Sequence, residues 1–201
     1  MPRIEEGVVY MKLQIDMSEG FYLCSDCHWY HENIIKYCNR PFKSAEEMNE
    51  VMFTNWQETI SPEDKVIYLG DWVIGSDKKY AIAQVLHDEL NGKKVFIQGN
   101  HDEHMHKYTK IRTVKGTIEV KYKGLNILLC HEPIWDFDHD LQVCGHIHNN
   151  EVNDQLKWNM VNVGMEMTNY TPVHIDDVIQ TVKDRAGMIG VKSSSFLREV
   201  F

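Results

Sequence analysis

The sequence predicts an α/β domain built on mixed β-sheet, and three observations carry that prediction. Short apolar runs recur along the chain, amphipathic helical patterns separate the early ones, and a hairpin signal takes the place of the helices in the second half. The apolar runs fall at 21–24, 65–69, 94–98, 125–130, 141–144 and 160–163 and read as buried strands. Between the first two, Ser44 suits an N-cap with Glu47 as its capping-box partner, and Met48, Met52, Trp56 and Ile60 follow at four-residue spacing on one helix face. Asp77 precedes a second such stretch, with Tyr80, Ile82, Ala83, Val85, Leu86 and Leu90, which Asn91-Gly92 is suited to end. A strand–helix–strand arrangement follows. Residues 117–122 and 125–130 flank Lys123-Gly124, a tight-turn pair, so the strands there are antiparallel and the sheet is mixed. Residues 176–185 read as a last helix.

Length and composition bound the answer. A chain of 201 residues, 43% hydrophobic and 25% charged, fits one soluble domain with a real core. The expected organisation is an N-terminal extension over 1–20, a single domain over 21–190 and a polar tail over 191–201. No apolar run reaches the roughly 18 residues of a membrane span and no secretory signal is evident, which predicts a cytoplasmic protein with no membrane partner. Five cysteines, an odd number without an export signal, point to reduced thiols. A formal charge of −9 disfavours a broad footprint on duplex nucleic acid and leaves a small phosphorylated substrate compatible.

Chemistry concentrates after the strands. Asp26-Cys27-His28, Gly70-Asp71, Gly99-Asn100-His101-Asp102, His131 and Gly145-His146-Ile147-His148 each follow an apolar run. Ligands of open α/β sheets bind beyond the carboxyl ends of strands, so these loops are expected to meet at one edge. Imidazole, carboxylate and amide oxygen together suit manganese, iron, zinc or nickel with open positions for water. Two divalent ions, with manganese the first choice, are therefore the expected cofactor, and Asp71 is the candidate bridge between them. Cys24 and Cys27 share a C-x-x-C spacing, but no second cysteine pair completes a tetrahedral site, and Cys24 reads as strand packing.

In order, D-x-H, G-D, G-N-H-[DE], H and G-H-x-H, from Asp26 to His148, resemble the signature of the calcineurin-like metallophosphoesterase family. The resemblance implies a four-layer αββα sandwich with mixed sheets. It implies one metal held by Asp26, His28, Asp71 and His148, a second held by Asp71, Asn100, His131 and His146, and His101 facing the substrate phosphate. The G-D-x-x-D-R-G of the protein serine/threonine phosphatases is absent, since Gly70-Asp71 continues as Trp72-Val73-Ile74-Gly75. The stretches 28–35 and 39–42 are similar to a compact bacterial and phage branch.

The expected activity is hydrolysis of a small nucleotide-like phosphoester by a metal-bridging hydroxide, as a phosphodiesterase or phosphatase. His101, oriented by Asp102, is the expected catalytic group, and His31 and Arg40 are candidate substrate contacts. A nuclease using the basic stretch Lys107, Lys110, Arg112, Lys115, Lys121 and Lys123 is one alternative, and a catalytically weak interaction scaffold is another. Core packing is the expectation for Trp29, Trp72 and Trp135, and a structural or solvent-facing place for His87 and His174.

Overall fold

The structure is a computed structural model that describes residues 17, 19–74, 77–107 and 109–190. In chain order its elements are β1 (Tyr22–Cys24), α1 (Glu32–Tyr37), α2 (Ala45–Thr59), β2 (Lys65–Tyr68), α3 (Asp77–Glu89), β3 (Lys93–Ile97), β4 (Thr113–Val114), β5 (Thr117–Tyr122), β6 (Leu125–Cys130), β7 (Leu141–Cys144), β8 (Met160–Asn162), β9 (Val173–His174) and α4 (Ile175–Met188). Two mixed sheets result, ordered β4-β3-β2-β1-β9 and β5-β6-β7-β8. In the first, β9 alone runs antiparallel, against β1. In the second, β5 and β6 are antiparallel and β6, β7 and β8 parallel. This is the α/β sandwich of mixed sheets that the resemblance implies.

Local chemistry explains most elements. Ser44 caps α2 by accepting a hydrogen bond from the Glu47 N–H, 3.3 Å away. The reciprocal half of the capping box is displaced by one residue, because the Glu47 carboxylate accepts from the Lys43 N–H at 2.6 Å instead of from Ser44. Lys123 and Gly124 both have positive φ, 47° and 80°, and join Tyr122 to Leu125 across a two-residue turn, as a primed hairpin turn requires. His174 caps α4, its ring accepting from the Asp176 N–H. The short elements α1, β4 and β9 escaped the periodicity argument, since two to six residues carry too few apolar repeats to register.

The core that a side chain faces alternates with the pleat. In β2, Val66 and Tyr68 face one core, which α2 and α3 cover with Met48, Met52, Trp56 and Leu86, joined by Leu90 just past α3. Trp72 lies edge-on to Trp29, Trp56, Tyr68 and Phe96 in that layer, with ring centroids 4.8 to 6.0 Å apart. Ile67 and Leu69 face the other core, between the sheets, with Leu23, Ile97, Ile127, Leu129, Leu141 and Val143. Ile175, Val178, Ile179 and Val182 of α4 close it beside β8 and β9. Met17 is buried in this second core, so the segment assigned to an extension contributes to the domain. The rest of that extension, apart from Glu19 and Gly20, and the tail over 191–201 lie outside the described residues.

The fold puts five loops on one edge. Beyond its strands the sheet pairing continues: Trp29 bridges to Val73, and Ser25 at the end of β1 bridges to Gly164 after β8, linking the two sheets there. No helix among the described residues is long and apolar enough to cross a membrane.

Candidate metal centre

The loops after β1 and β2 are zipped together by backbone hydrogen bonds from Asp26 N–H to the Gly70 carbonyl, His28 N–H to Asp71 and Trp29 N–H to Trp72. Tyr68 fastens them from below: its hydroxyl accepts from the Cys27 N–H at 2.9 Å and donates to the Asp71 carbonyl at 3.0 Å. Asp26, His28, Asp71, His146 and His148 all adopt left-handed backbone, with φ of 59°, 51°, 61°, 68° and 46°. Each such residue costs on the order of 1 kcal/mol or more, and a concentration of them marks loops bent to aim side chains. Two glycines permit the close approach. A Cβ on Gly99 would collide with the Asp71 carboxylate, and one on Gly145 with Ser25 Oγ and the Asp26 carboxylate.

Seven side chains converge as two groups. One ligand atom each from Asp26, His28 and His148 lie within 4.8 Å of one another, and so do those of Asp71, His131 and His146. Asp71 faces both: Oδ2 is 3.5 Å from His28 Nε2 and Oδ1 is 3.5 Å from His131 Nε2. Asn100 Oδ1 completes the second group, 2.9 Å from His131 Nε2 and 3.0 Å from His146 Nδ1. Since His131 Nδ1 is 2.8 Å from the Leu69 carbonyl, which can only accept, its proton belongs on Nδ1 and its Nε2 lone pair faces the Asn100 oxygen. Acceptor opposed to acceptor at that distance is repulsive unless a cation lies between them. In the first group both ring nitrogens of His28, a residue 1% exposed, lack a hydrogen-bond partner among the described residues. Orphaned imidazole nitrogen and opposed acceptors fit divalent metal.

The electrostatics agree. Burial first, then the charges of Asp26 and Asp102, push the Asp71 carboxyl up to about 8, against a lowering by the His101 N–H. Burial also lowers the His28 and His131 imidazoles, so that neutral, metal-ready rings are favoured. His148 runs the other way in the metal-free chain: burial opposes its charge, but Cys38, Glu166 and Asp26 outweigh it and hold it up to about 10, so a metal at its Nε2 would displace a proton.

The sequence profile of the calcineurin-like phosphoesterase superfamily domain matches residues 21–184. The chain belongs to that superfamily. It is similar to an uncharacterized protein of Methanocaldococcus jannaschii, 35% identical over 169 residues that cover 81% of this chain and 90% of the relative. Its fold is similar to the crystal structure of a protein of unknown function from Aquifex aeolicus, with a TM-score of 0.64 and 26% identity, covering 80% of this chain and 98% of that one. A metal-dependent phosphoesterase is what the superfamily and the ligand groups support.

Two residues take places other than those expected of them. Asp102 does not orient His101: it is buried, Oδ2 accepts from the N–H groups of Asp71 at 2.7 Å and Gly99 at 2.9 Å, and Oδ1 accepts from Trp72 N–H at 2.9 Å. It shapes the loop beneath Asp71. Arg40 does not face a substrate. It is 4% exposed and spends its guanidinium on the Asp26 and Cys27 carbonyls and on Glu166. His101 and His31 do border the site. His101 Nε2 is 3.9 Å from Asp71 Oδ2, and the His31 ring is 5.8 Å from that of His28. Glu166 was missed; it lies 18 residues beyond the last motif, and a lone acidic residue in a turn carries no signal of its own. Trp29 and Trp72 are core residues, whereas Trp135 is 45% exposed. His87 packs on Phe96 from α3, and the cysteines are free and buried.

Two predictions follow from this geometry. Replacing Asp102 with Ala strands three buried backbone donors at about 1–3 kcal/mol each, so the variant's urea midpoint falls well below wild type even in chelator; an unchanged midpoint with only slower turnover restores the His101 partnership. In the metal-free chain Asp71 keeps its proton to about 8 in the fold and ionises near about 4 when unfolded, so its contribution to stability is lost as pH rises between those values. Divalent ions compensate the ionised form, so the gain in Tm on adding Mn²⁺ is expected to be larger at pH 8 than at pH 5.5, and a gain independent of pH contradicts this.

Proposed function

We propose that the protein is a two-ion phosphoester hydrolase acting on a small, nucleotide-like phosphoester. The observation that supports this reading most strongly is Asp71, whose two carboxylate oxygens each lie 3.5 Å from an imidazole nitrogen of a different ligand group. On this reading Asp26, His28, Asp71 and His148 hold one ion, and Asp71, Asn100, His131 and His146 the other. Divalent ions there, manganese first and iron, zinc or nickel otherwise, would supply Lewis acidity that activates water and offsets charge at phosphorus.

The chain's own groups do the rest. His101 stands 44% exposed at the mouth, and its pKa is lowered by burial and then by His146 and His148. A ring held neutral donates a hydrogen bond more readily than it gives up a proton, so stabilising a phosphoryl oxygen is its proposed role. Asp71 Oδ1 accepts from the His101 N–H at 2.9 Å, which fixes that backbone relative to the bridge.

The substrate's organic part has room beside the second group. A cavity of about 660 Å³ there is lined by Gln98, Asn100, Glu103, Lys115, His131, Glu132 and Ile134 among others, within the size range of small-molecule sites. Glu103 and Glu132 border it against one lysine, a balance that suits a compact ester better than a polyanionic strand. Lys123, part of the basic stretch, is engaged by Asp176 at 2.7 Å instead. A small phosphorylated partner is therefore favoured over nucleic acid.

The test is hydrolysis of an aryl phosphodiester and the matching monoester by chelated protein with Mn²⁺ restored. Turnover is expected to return with the metal, and His101→Ala to lower it by about 10² to 10⁴ while metal content holds. Asp71→Asn is expected to weaken both ions. Loss of metal from His101→Ala, or two full ions in Asp71→Asn, overturns these assignments.

A further inference from the structure

We propose that Glu166, anchored by Arg40, is a positioning residue for His148: its carboxylate accepts a hydrogen bond from Nδ1–H and so turns the Nε2 lone pair toward Asp26 and His28. The inference rests on the two-ion reading above. Glu166 Oε1 is 3.1 Å from His148 Nδ1, while His148 Nε2, on the other side of the ring, is 3.9 Å from Asp26 Oδ1. The ring is stacked on His28 with centroids 5.1 Å apart and planes 27° apart, so the hydrogen bond to Glu166 fixes its remaining freedom, the choice of tautomer and rotation in its plane. Carboxylates that bind the outer nitrogen of a metal-ligating imidazole set its tautomer and raise its basicity.

Glu166 is itself held. It sits in the turn Met165–Met167 after β8, where Met165 N–H donates to the Ser25 carbonyl and ties the turn to the end of β1. Arg40 donates from Nε and Nη2 to Glu166 Oε1 at 2.8 and 2.7 Å, and its side chain and that of Glu166 are 0% and 3% exposed. The same guanidinium donates from Nη2 to the Asp26 carbonyl at 2.7 Å and from Nη1 to the Cys27 carbonyl at 2.9 Å. One buried ion pair thereby connects His148 to the strained loop that carries Asp26 and His28. A separate cation held by Cys38, His148 and Glu166, whose ligand atoms also cluster, is disfavoured because the Arg40 guanidinium on Oε1 already balances the charge of Glu166, though Oε2 has no hydrogen-bond partner among the described residues.

The test is Mn²⁺ binding by calorimetry, with metal content measured alongside, for wild type, Glu166→Gln and Glu166→Asp. In Glu166→Gln one ion is expected to bind about 10- to 100-fold more weakly and the other as in wild type, with excess Mn²⁺ restoring full occupancy. Should removal of the charge facing Arg40 prevent folding, Glu166→Asp keeps that charge on a shorter arm and is expected to show the same selective weakening. A purely structural Glu166 would lower the Tm of the chelated protein and leave both affinities unchanged; that result, in either folded variant, overturns the proposal alone. Fewer than two ions in wild type overturns the two-ion reading and this inference with it.

Discussion

Three buried carboxylates at one sheet edge, Asp26, Asp71 and Asp102, are the constraint around which the molecule is arranged. Like charges crowded into a protein interior are tolerated only when donors or cations answer them. Asp102 is answered by three backbone N–H groups, and Asp26 by the His146 N–H on both oxygens. Asp71 has the His101 N–H on one oxygen, and its own backbone N–H is spent on the Asp102 carboxylate. The least compensated carboxylate is thus the one that stands between two sets of imidazoles, with His28 on one side and His131 on the other held neutral by burial. The demand for positive charge is built into the fold at that point, and the proposed divalent ions would meet it.

Bringing those groups together requires backbone in sparsely populated conformations, and the surrounding structure holds it there. Five of the seven candidate ligand residues have positive φ. Parallel pairing that continues past β1 and β2, the Tyr68 hydroxyl bridging both loops, and the Arg40 guanidinium on the Asp26 and Cys27 carbonyls fix the first two loops. Behind them Trp29 and Trp72, each next to a ligand residue, are locked in the aromatic layer over α2 and α3. Core packing and site geometry are coupled at these residues, so damage to either is felt in the other.

The parts legible in the sequence were those with a short-range signature. The continuous apolar run over 65–69, the four-residue repeat from Met48 to Ile60, and Lys123-Gly124 each state their structure within a few residues. The convergence of the candidate ligands was legible because each motif directly follows a strand. What was not legible depends on contacts between distant residues. Arg40 and Glu166 are 126 positions apart, and Asp102 looks like a partner for its neighbour His101 until the fold brings Asp71, Trp72 and Gly99 to it. Nothing adjacent to Arg40 marks it as buried, and an arginine near a phosphate site reads naturally as a phosphate ligand. The division into two sheets came from the family resemblance and not from local pattern, and the two-residue strands β4 and β9 were too short for any pattern to show.

The central claim is that Asp71 joins two ions into one centre. Electron paramagnetic resonance of the protein loaded with Mn²⁺ tests it most directly, because two manganese ions sharing a carboxylate about 3.5–4 Å apart are magnetically coupled. The account predicts a multiline spectrum with compressed hyperfine spacing at full loading. The six-line spectrum of isolated Mn²⁺ at full loading would contradict it.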